Sequence, residues 1–374
     1  MRLLSGCSQH RSLSHLRHWS APMKPVVLPP VFDHGYYRQH YTDIANIADE
    51  ALLAHYQFFG IDEGRVSSPA AWRGVLVELV QQEASVLEVG PFAAPAVSGE
   101  HVRYIDAFDK EELIRRCAWH NLDPSRVPHI DYVSPDGSFD TIDRKFNAVF
   151  GSHSIEHQPD LVRHLQNVSS VLEPGGRYYI VSPDKRFCFD HFRSTSSIAD
   201  VMTAYVTNLG LHQPRTLVAH AIETTHNDPA RHWRGDHGMP SYQETECARV
   251  DELRDRIESA DYIDSHAWQF TPEAFFEIIS ILRRQGLIDL VAERVYHTPR
   301  DMFEFTAVLR KGPIDDHVAF IPRKEASFPD PGKPVRSEPI TGRAKAELLG
   351  PGRLSTSKML LKKIATRAKL LHFK

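Results

Sequence analysis

The sequence contains no run of about 18 apolar residues, so it offers no membrane-spanning helix. Its four cysteines, Cys7, Cys117, Cys188 and Cys247, are scattered and form no C-x-x-C. That spacing argues against a zinc ribbon or a disulfide framework and fits a reducing compartment, so the expected location is cytoplasmic. No G-x-G-x-x-G opens the first α/β unit, which weighs against a dinucleotide loop, because a pyrophosphate needs that glycine-lined backbone. Acidic residues are missing altogether from positions 1–32, where Arg, His and Ser are frequent. Three readings of that stretch stand: a disordered leader, a chain whose start is really Met23, or an organelle transit peptide.

What is present is a chain of 374 residues, enough for one large domain or two modest ones, with formal charge −4. The charge is uneven. Thr341–Lys374 holds nine Lys or Arg and one acid, Glu347, so the tail is +8 and the rest −12. The body lacks the basic face that nucleic-acid binding requires, and no nucleic-acid partner is expected. Within the tail, Ser357–Leu371 is compatible with a basic amphipathic helix that touches a membrane surface or a partner, and equally with a solvated tail.

Periodicity sets out the remainder. Tyr41–Phe58 and Pro69–Gln82 have apolar residues at helical spacing. Short apolar runs then alternate with helical segments. Strands are expected at Ser85–Val89, Arg103–Ile105, His129–Val133, Phe146–Phe150 and Arg177–Ser182, with helices at Lys110–His120 and Pro159–Leu172. Pro174-Gly175-Gly176 reads as the stop of the second helix. The alternation implies a mainly parallel sheet covered on both faces. It resumes at Thr271-Pro272, a cap followed by a first-turn proline, with a helix to about Gln285 and strands at Ile288–Val295 and Phe303–Arg310.

The organisation expected is therefore a leader (1–32), N-terminal helices and strands one to five (33–182), an insertion (183–270), core completion (271–311), and a Pro-rich linker with the basic tail (312–374). The fold class is a doubly wound α/β sheet of seven strands, the last antiparallel, with a mostly α or irregular inserted lid. An insertion that long between regular elements reads as an acceptor-binding subdomain rather than a structureless loop.

Such a sheet binds its ligand beyond the carboxyl ends of its strands, where strand order reverses. Strand one ends in Glu88-Val89-Gly90-Pro91. Gly90 permits a tight turn and close approach of a ligand. Asp106 ends strand two, where an acid can accept hydrogen bonds from both ribose hydroxyls. Asp136-Gly137 follows strand three, where an acid can accept from an adenine amine; the same pair is also a common turn.

Glu88-Val89-Gly90, Asp106, Asp136-Gly137, Phe146–Phe150, His153–His157 and Leu172–Gly176 together resemble the successive motifs of class I S-adenosylmethionine-dependent methyltransferases. The S-H-x-I-E-H-x-P-D segment is similar to the branch called methyltransferase type 11. Asn147, where that family usually has Asp, and the single-glycine first loop depart from the pattern. The resemblance covers roughly 83–185 and 271–311 and implies S-adenosyl-L-methionine as cofactor. It implies that Glu88 helps hold the methionine ammonium, directly or through water, that the backbone at Gly90 and Pro91 contacts the cofactor, and that Asp106 binds ribose. Asp136 and Gly137 would bracket adenine, and Ser152 and His153 would line the methionine and acceptor side.

The segment His153–His157 has three readings. As H-x-x-E-H it matches an inverted zinc-peptidase pattern, but at a strand end rather than on a helix. By analogy with O-methyltransferases that carry E-x-x-E-H, it would bind a divalent ion that polarises an acceptor hydroxyl. Otherwise Glu156 and His157 cap the next helix and pack beside the cofactor; on that reading no metal is assigned. Catalysis then rests on alignment plus a base near neutrality, with His153, His157 and His266 as the catalytic candidates and His191 and His237 as further ones. Trp268 and Asp184-Lys185-Arg186 are expected near the acceptor. The expected activity is O-directed methyl transfer to a small molecule or glycan. The rivals are a catalytically silent S-adenosylmethionine-binding partner module and an NAD(P)-dependent reductase.

Overall fold

The computed structural model describes residues 26–244, 253–254, 257–258, 263–313 and 317–325. Short helices α1 (His34–His40) and α2 (Asp49–His55) precede α3 (Arg73–Gln81). The core follows as β1 (Val86–Val89), β2 (Val102–Asp106), α4 (Lys110–His120), β3 (Tyr132–Val133), β4 (Phe146–Ser152), α5 (Leu161–Val171) and β5 (Leu172–Pro183). The insertion carries α6 (Ile198–Val206), α7 (Pro214–Ile222), α8 (Pro229–Trp233) and α9 (Ser241–Glu244). The core closes with α10 (Pro272–Arg284), β6 (Leu290–Val295) and β7 (Glu304–Lys311).

The seven strands lie in the order β3-β2-β1-β4-β5-β7-β6. Every pair from β3 to β5 is parallel, while β7 runs antiparallel to both β5 and β6. Strand order reverses between β1 and β4, which places the crevice at Gly90 and Ser152. One face of the sheet packs against α5, α6 and α10 through Leu165, Val168, Val201, Phe275 and Ile279. The other packs against α3 through Leu76 and Val80. Helix α10 shows why local sequence suffices here: Thr271 accepts from the Ala274 N–H at 3.2 Å, Pro272 fills the first turn, and Phe275, Ile278, Ile279 and Leu282 form one buried stripe.

Several segments differ from the pattern expected of them. The helix expected over 41–58 is broken, because the Arg38 guanidinium takes the carbonyls of Ala45 and Ile47 at 2.8 Å and holds them outside any helix. The helix expected over 69–82 begins only at Arg73, since Trp72 is extended and its indole N–H donates to the Tyr36 hydroxyl at 3.1 Å. Strand three is two residues long. Pro174-Gly175-Gly176 does not stop a helix: α5 ends at Val171, and the three residues bulge out of β5, where Phe146 faces Leu172 but Ala148 faces Arg177. A Cβ on Gly176 would lie 2.9 Å from the Glu173 carbonyl oxygen and 3.0 Å from that of Asn147, so only glycine fits the bulge.

The two ends of the chain also depart from expectation. Val26 and Leu28 are buried, and Val31 and Phe32 join the cluster of Tyr37, Ile44 and Tyr56, so the leader does not extend to residue 32. In the linker, Phe320 and Ile321 are buried, and the Val295 N–H donates to the Ala319 carbonyl at 2.8 Å. The leader at 1–25, the tail helix at 357–371 and the rest of the tail from 326 lie outside the described residues. No described helix is long and apolar enough to cross a membrane. Cys117 and Cys188 are buried free thiols.

The insertion leaves and returns at one place. Asp184 and Phe270 form a bridge, and the Lys185 N–H donates to the Phe270 carbonyl at 2.9 Å. Helix α6, capped reciprocally by Ser197 and Asp200, lays Val201 and Ala204 into the main core.

Candidate functional site

A cavity of about 460 Å³ opens beyond the carboxyl ends of β1, β2 and β4, a size suited to a nucleoside-sized ligand. Gly90, Asp106, Asp136, Gly137, His153 and His157 all line it, together with Phe92, Phe108, Arg116 and His120. Gly90 has φ +66, which only glycine adopts without strain, and its N–H donates to Ile105 O at 2.9 Å. A Cβ there would come no nearer than 3.9 Å to Ser154, so the space above it is open.

Asp106 stands at the cavity wall with the Phe108 N–H at 3.3 Å. No Lys or Arg forms an ion pair with it among the described residues, and burial pushes its carboxyl up to about 6. A carboxylate in that state is an unfilled acceptor for neutral donors such as ribose hydroxyls. Asp136 is exposed, and it caps its own turn by accepting from the Ser138 N–H at 3.0 Å and the Ser134 hydroxyl at 3.2 Å. Those bonds hold its carboxyl below the usual range. They also hold Gly137, at φ +71, against the cavity. The turn reading of this pair is realised, and both residues line the cavity.

Glu88 does not face the cavity. It is buried, and its two oxygens accept the N–H groups of Ala96 at 2.8 Å and Val97 at 3.2 Å, which corrects the ammonium-binding role expected of it. Burial pushes it up to about 7. It shapes the loop after β1 rather than touching a ligand. Pro91 is likewise buried beneath the loop, and the Ser152 hydroxyl is buried; neither lines the cavity.

The three histidine and glutamate side chains after β4, His153, Glu156 and His157, form one electrostatic unit. Glu156 is fully buried, and neither of its carboxylate oxygens has a hydrogen-bond partner. His153 Nδ1 lies 3.5 Å and His157 Nε2 3.9 Å from Glu156 Oε1. Burial would push Glu156 up, but His153, His157 and His266 outweigh it and hold it down. His153 has φ +50, and its Nε2 meets Glu304 of β7 at 2.8 Å. Burial opposes its charge, yet Glu156 and Glu304 raise it to about 9. His157 is raised in the same way by Asp264, whose carboxylate is 2.8 Å from Nδ1. Glu156, His157 and His266 each offer one ligand atom within 4.8 Å of the others. That set differs from the expected metal trio, because Glu304 has taken His153.

His266 touches this unit from behind. It is buried and does not line the cavity; its Nδ1 lies 2.6 Å from Asp190, which also pairs with Arg193 at 2.9 Å. Its ring packs edge-on against His157 with centroids 4.7 Å apart, so it positions His157 and is not itself open to an acceptor. Trp268 is buried and does not line the cavity; its indole N–H donates at 2.6 Å to the carbonyl of Gln158, which does. Asp184 is fully buried and bonded to Arg186 and Thr298, so it is not an acceptor-receiving group. His191 and His237 lie in a separate cluster with His232. No sequence pattern points to Asp264 or Glu304, which meet their histidines across 107 and 151 positions. The insertion supplies Gly210, Leu211 and Asp264 to the cavity wall.

No family model matches the chain. The curated protein called Protein TEEBE, from Arabidopsis thaliana, is 35% identical over 66 residues, which is 17% of this chain and 18% of that protein. Among solved structures, a methyltransferase dependent on S-adenosylmethionine from Aquifex aeolicus matches at 14% identity over 75% of this chain and 99% of that one, TM-score 0.33. Another from Mesorhizobium loti matches at 13% over 63% and 96%, TM-score 0.33. The N-methyltransferase NodS from Bradyrhizobium japonicum matches at 13% over 64% and 95%, TM-score 0.30. The topology speaks more directly. A seven-stranded sheet ordered 3-2-1-4-5-7-6 with an antiparallel β7 is the class I S-adenosylmethionine-dependent methyltransferase fold, and this chain has it.

Proposed function

We propose that the chain is an S-adenosylmethionine-dependent methyltransferase of the cytoplasm, acting on a hydroxyl of a small molecule or glycan. The observation that carries this reading is Asp106: a carboxylate on the cavity wall that forms no ion pair among the described residues, though the Arg116 charge bears on it, one strand from the open turn at Gly90. In it, Asp106 accepts from the ribose hydroxyls, the backbone at Gly90 takes the amino-acid end, and the Asp136-Gly137 turn borders adenine. When bound, S-adenosylmethionine supplies a methyl group already activated on sulfonium.

The chain's own residues then align the acceptor and take its proton. His157 is the candidate base because it lines the cavity: Asp264 lies 2.8 Å from its Nδ1, and its Nε2 is 3.9 Å from the Glu156 carboxylate, a looser hold than either carboxylate has on His153. His153 is the poorer base, because Glu156 and Glu304 both hold its proton. Asp264 and Glu156 raise the pKa of His157 above its ordinary value, so turnover is expected to climb as rising pH frees the base form.

Calorimetry with S-adenosylhomocysteine and with NAD(P), followed by a tritiated-methyl transfer screen over phenolic, carbohydrate and lipid fractions, tests the proposal. Adenosyl binding and label transfer are expected. NAD(P) binding without adenosyl binding would establish the reductase instead, and adenosyl binding with no transfer to any fraction would establish the silent module. Loss of transfer in chelator with rescue by a divalent ion, persisting in a chain that carries His191→Asn and His237→Asn, would place a metal at Glu156, His157 and His266.

A further inference from the structure

Within the insertion, four histidines gather around α8, away from the cavity. His232 is 2% exposed. Its Nε2 lies 3.1 Å from the His226 carbonyl oxygen, which only an N–H can satisfy, so the ring proton sits on Nε2 and Nδ1 carries a lone pair. His191 is fixed in the same manner: Nδ1 lies 2.9 Å from the Arg186 carbonyl, which leaves the lone pair on Nε2. His237 brings its Nδ1 to 3.0 Å from His232 Nδ1. One nitrogen from each of the three lies within 4.8 Å of the others. Backbone carbonyls that fix the tautomer in this way are the usual second partners of metal-binding imidazoles.

We infer that His191, His232 and His237 bind one divalent transition-metal ion of the zinc type through three imidazole nitrogens. A tetrahedral ion with bonds of about 2.0–2.1 Å separates its ligand atoms by about 3.4 Å, close to the spacing already set between His232 and His237. Without the ion, His191 and His237 stack with centroids 3.8 Å apart and planes 10° from parallel. Binding rotates these two half-exposed rings out of the stack and leaves a fourth position for water.

His226 is not a ligand, although it stacks on His232, because both its nitrogens are used: Nε2 with the Asp236 carbonyl at 3.1 Å and Nδ1 with the Asp228 N–H at 3.2 Å. The turn that presents His237 is built around Gly238. It has φ +64, and a Cβ there would lie 2.7 Å from Thr225 Oγ1. Lys185, whose ammonium donates to the His191 carbonyl at 2.7 Å, opposes a second cation, and Asp236 beside His237 offsets it. His232 also lines a cavity of about 260 Å³ with Arg186 and Trp233. The ion would tie the segment after β5 to α8, whatever reaction the cleft performs.

The test strips the full chain with chelator and titrates it with Zn²⁺, and then with Co²⁺, by calorimetry and visible absorption. One equivalent of Zn²⁺ is expected to bind, and Co²⁺ to give the intense d–d bands of a four-coordinate nitrogen site. His191→Asn combined with His237→Asn is expected to remove the bands. It should weaken Zn²⁺ by more than the roughly 100-fold that losing a ring-orienting partner costs. His237→Gln alone provides a milder variant, and a cooperative thermal melt monitors folding of each. Glu156→Gln, in the cleft, is expected to leave the ion bound. No stoichiometric Zn²⁺ on the wild-type chain overturns the inference. So does binding that survives the double variant, or binding lost with Glu156→Gln.

Discussion

Burial alone lifts Asp106 to about 6, and it lifts Glu88, one strand away, to about 7, yet the two acids act differently. Glu88 spends both oxygens on the N–H groups of Ala96 and Val97, whereas Asp106 keeps acceptor capacity toward the cavity. Ribose hydroxyls donate best to the ionised form of Asp106. Adenosyl affinity is therefore expected to fall as pH drops through about 6, the value set by burial, and calorimetry across pH 5–8 checks it. Asp106→Asn removes a charged acceptor, a loss of about 1.5–3 kcal/mol or one to two orders of magnitude in affinity. Unchanged affinity would take Asp106 out of the ribose role. Glu88→Ala orphans two buried N–H groups instead, so it is expected to cost about 2–4 kcal/mol of stability in urea unfolding. Sequence placed both acids at strand ends but did not separate their roles, because the difference depends on which way the loop at 96–97 folds back.

Among the elements, those governed by neighbours in sequence were legible. Lys110–His120 and the Thr271-capped helix α10 appear where periodicity and capping put them. The misplaced boundaries are those set by distant partners: Arg38 on the carbonyls of Ala45 and Ile47, Tyr36 on Trp72, and the β4–β5 register on Gly175-Gly176. The site divides in the same way. Gly90, Asp106, Asp136, Gly137, His153 and His157 could be read from strand ends, but the partners that decide what the histidines do, Glu304 and Asp264, are remote in sequence. Gly176 tests the register argument. Its φ is ordinary, so Gly176→Ala should be harmless if the glycine only breaks a helix. A Cβ wedged 2.9 Å and 3.0 Å from two backbone oxygens should instead cost about 1–3 kcal/mol, as overpacking does, seen as a lower urea midpoint with an unchanged slope.

At the scale of the whole molecule, His153 joins two ends of the sheet. It leaves β4 in a left-handed conformation and reaches Glu304 at the start of β7, which Arg73 of α3 also contacts at 3.3 Å. Its pKa is raised on folding, from the ordinary 6.5 to about 9. A raised histidine contributes stability that is complete below the unfolded value and is lost as pH climbs through the folded one. Glu156 and Asp190 are lowered by their histidines, so their contribution runs the other way and is lost in acid. The stability curve is therefore expected to be a dome whose alkaline limb falls between about pH 6.5 and 9. Glu304→Gln removes one of the two carboxylates that hold the proton on His153, so the alkaline limb should flatten and end at lower pH, while its onset near 6.5 and the acid limb stay in place. Thermal melts from pH 5 to 10 on the wild type and this variant decide the matter. A wild-type limb that the substitution leaves unmoved would mean that His153 folds as a neutral ring, which would return it to the set of bases open to an acceptor.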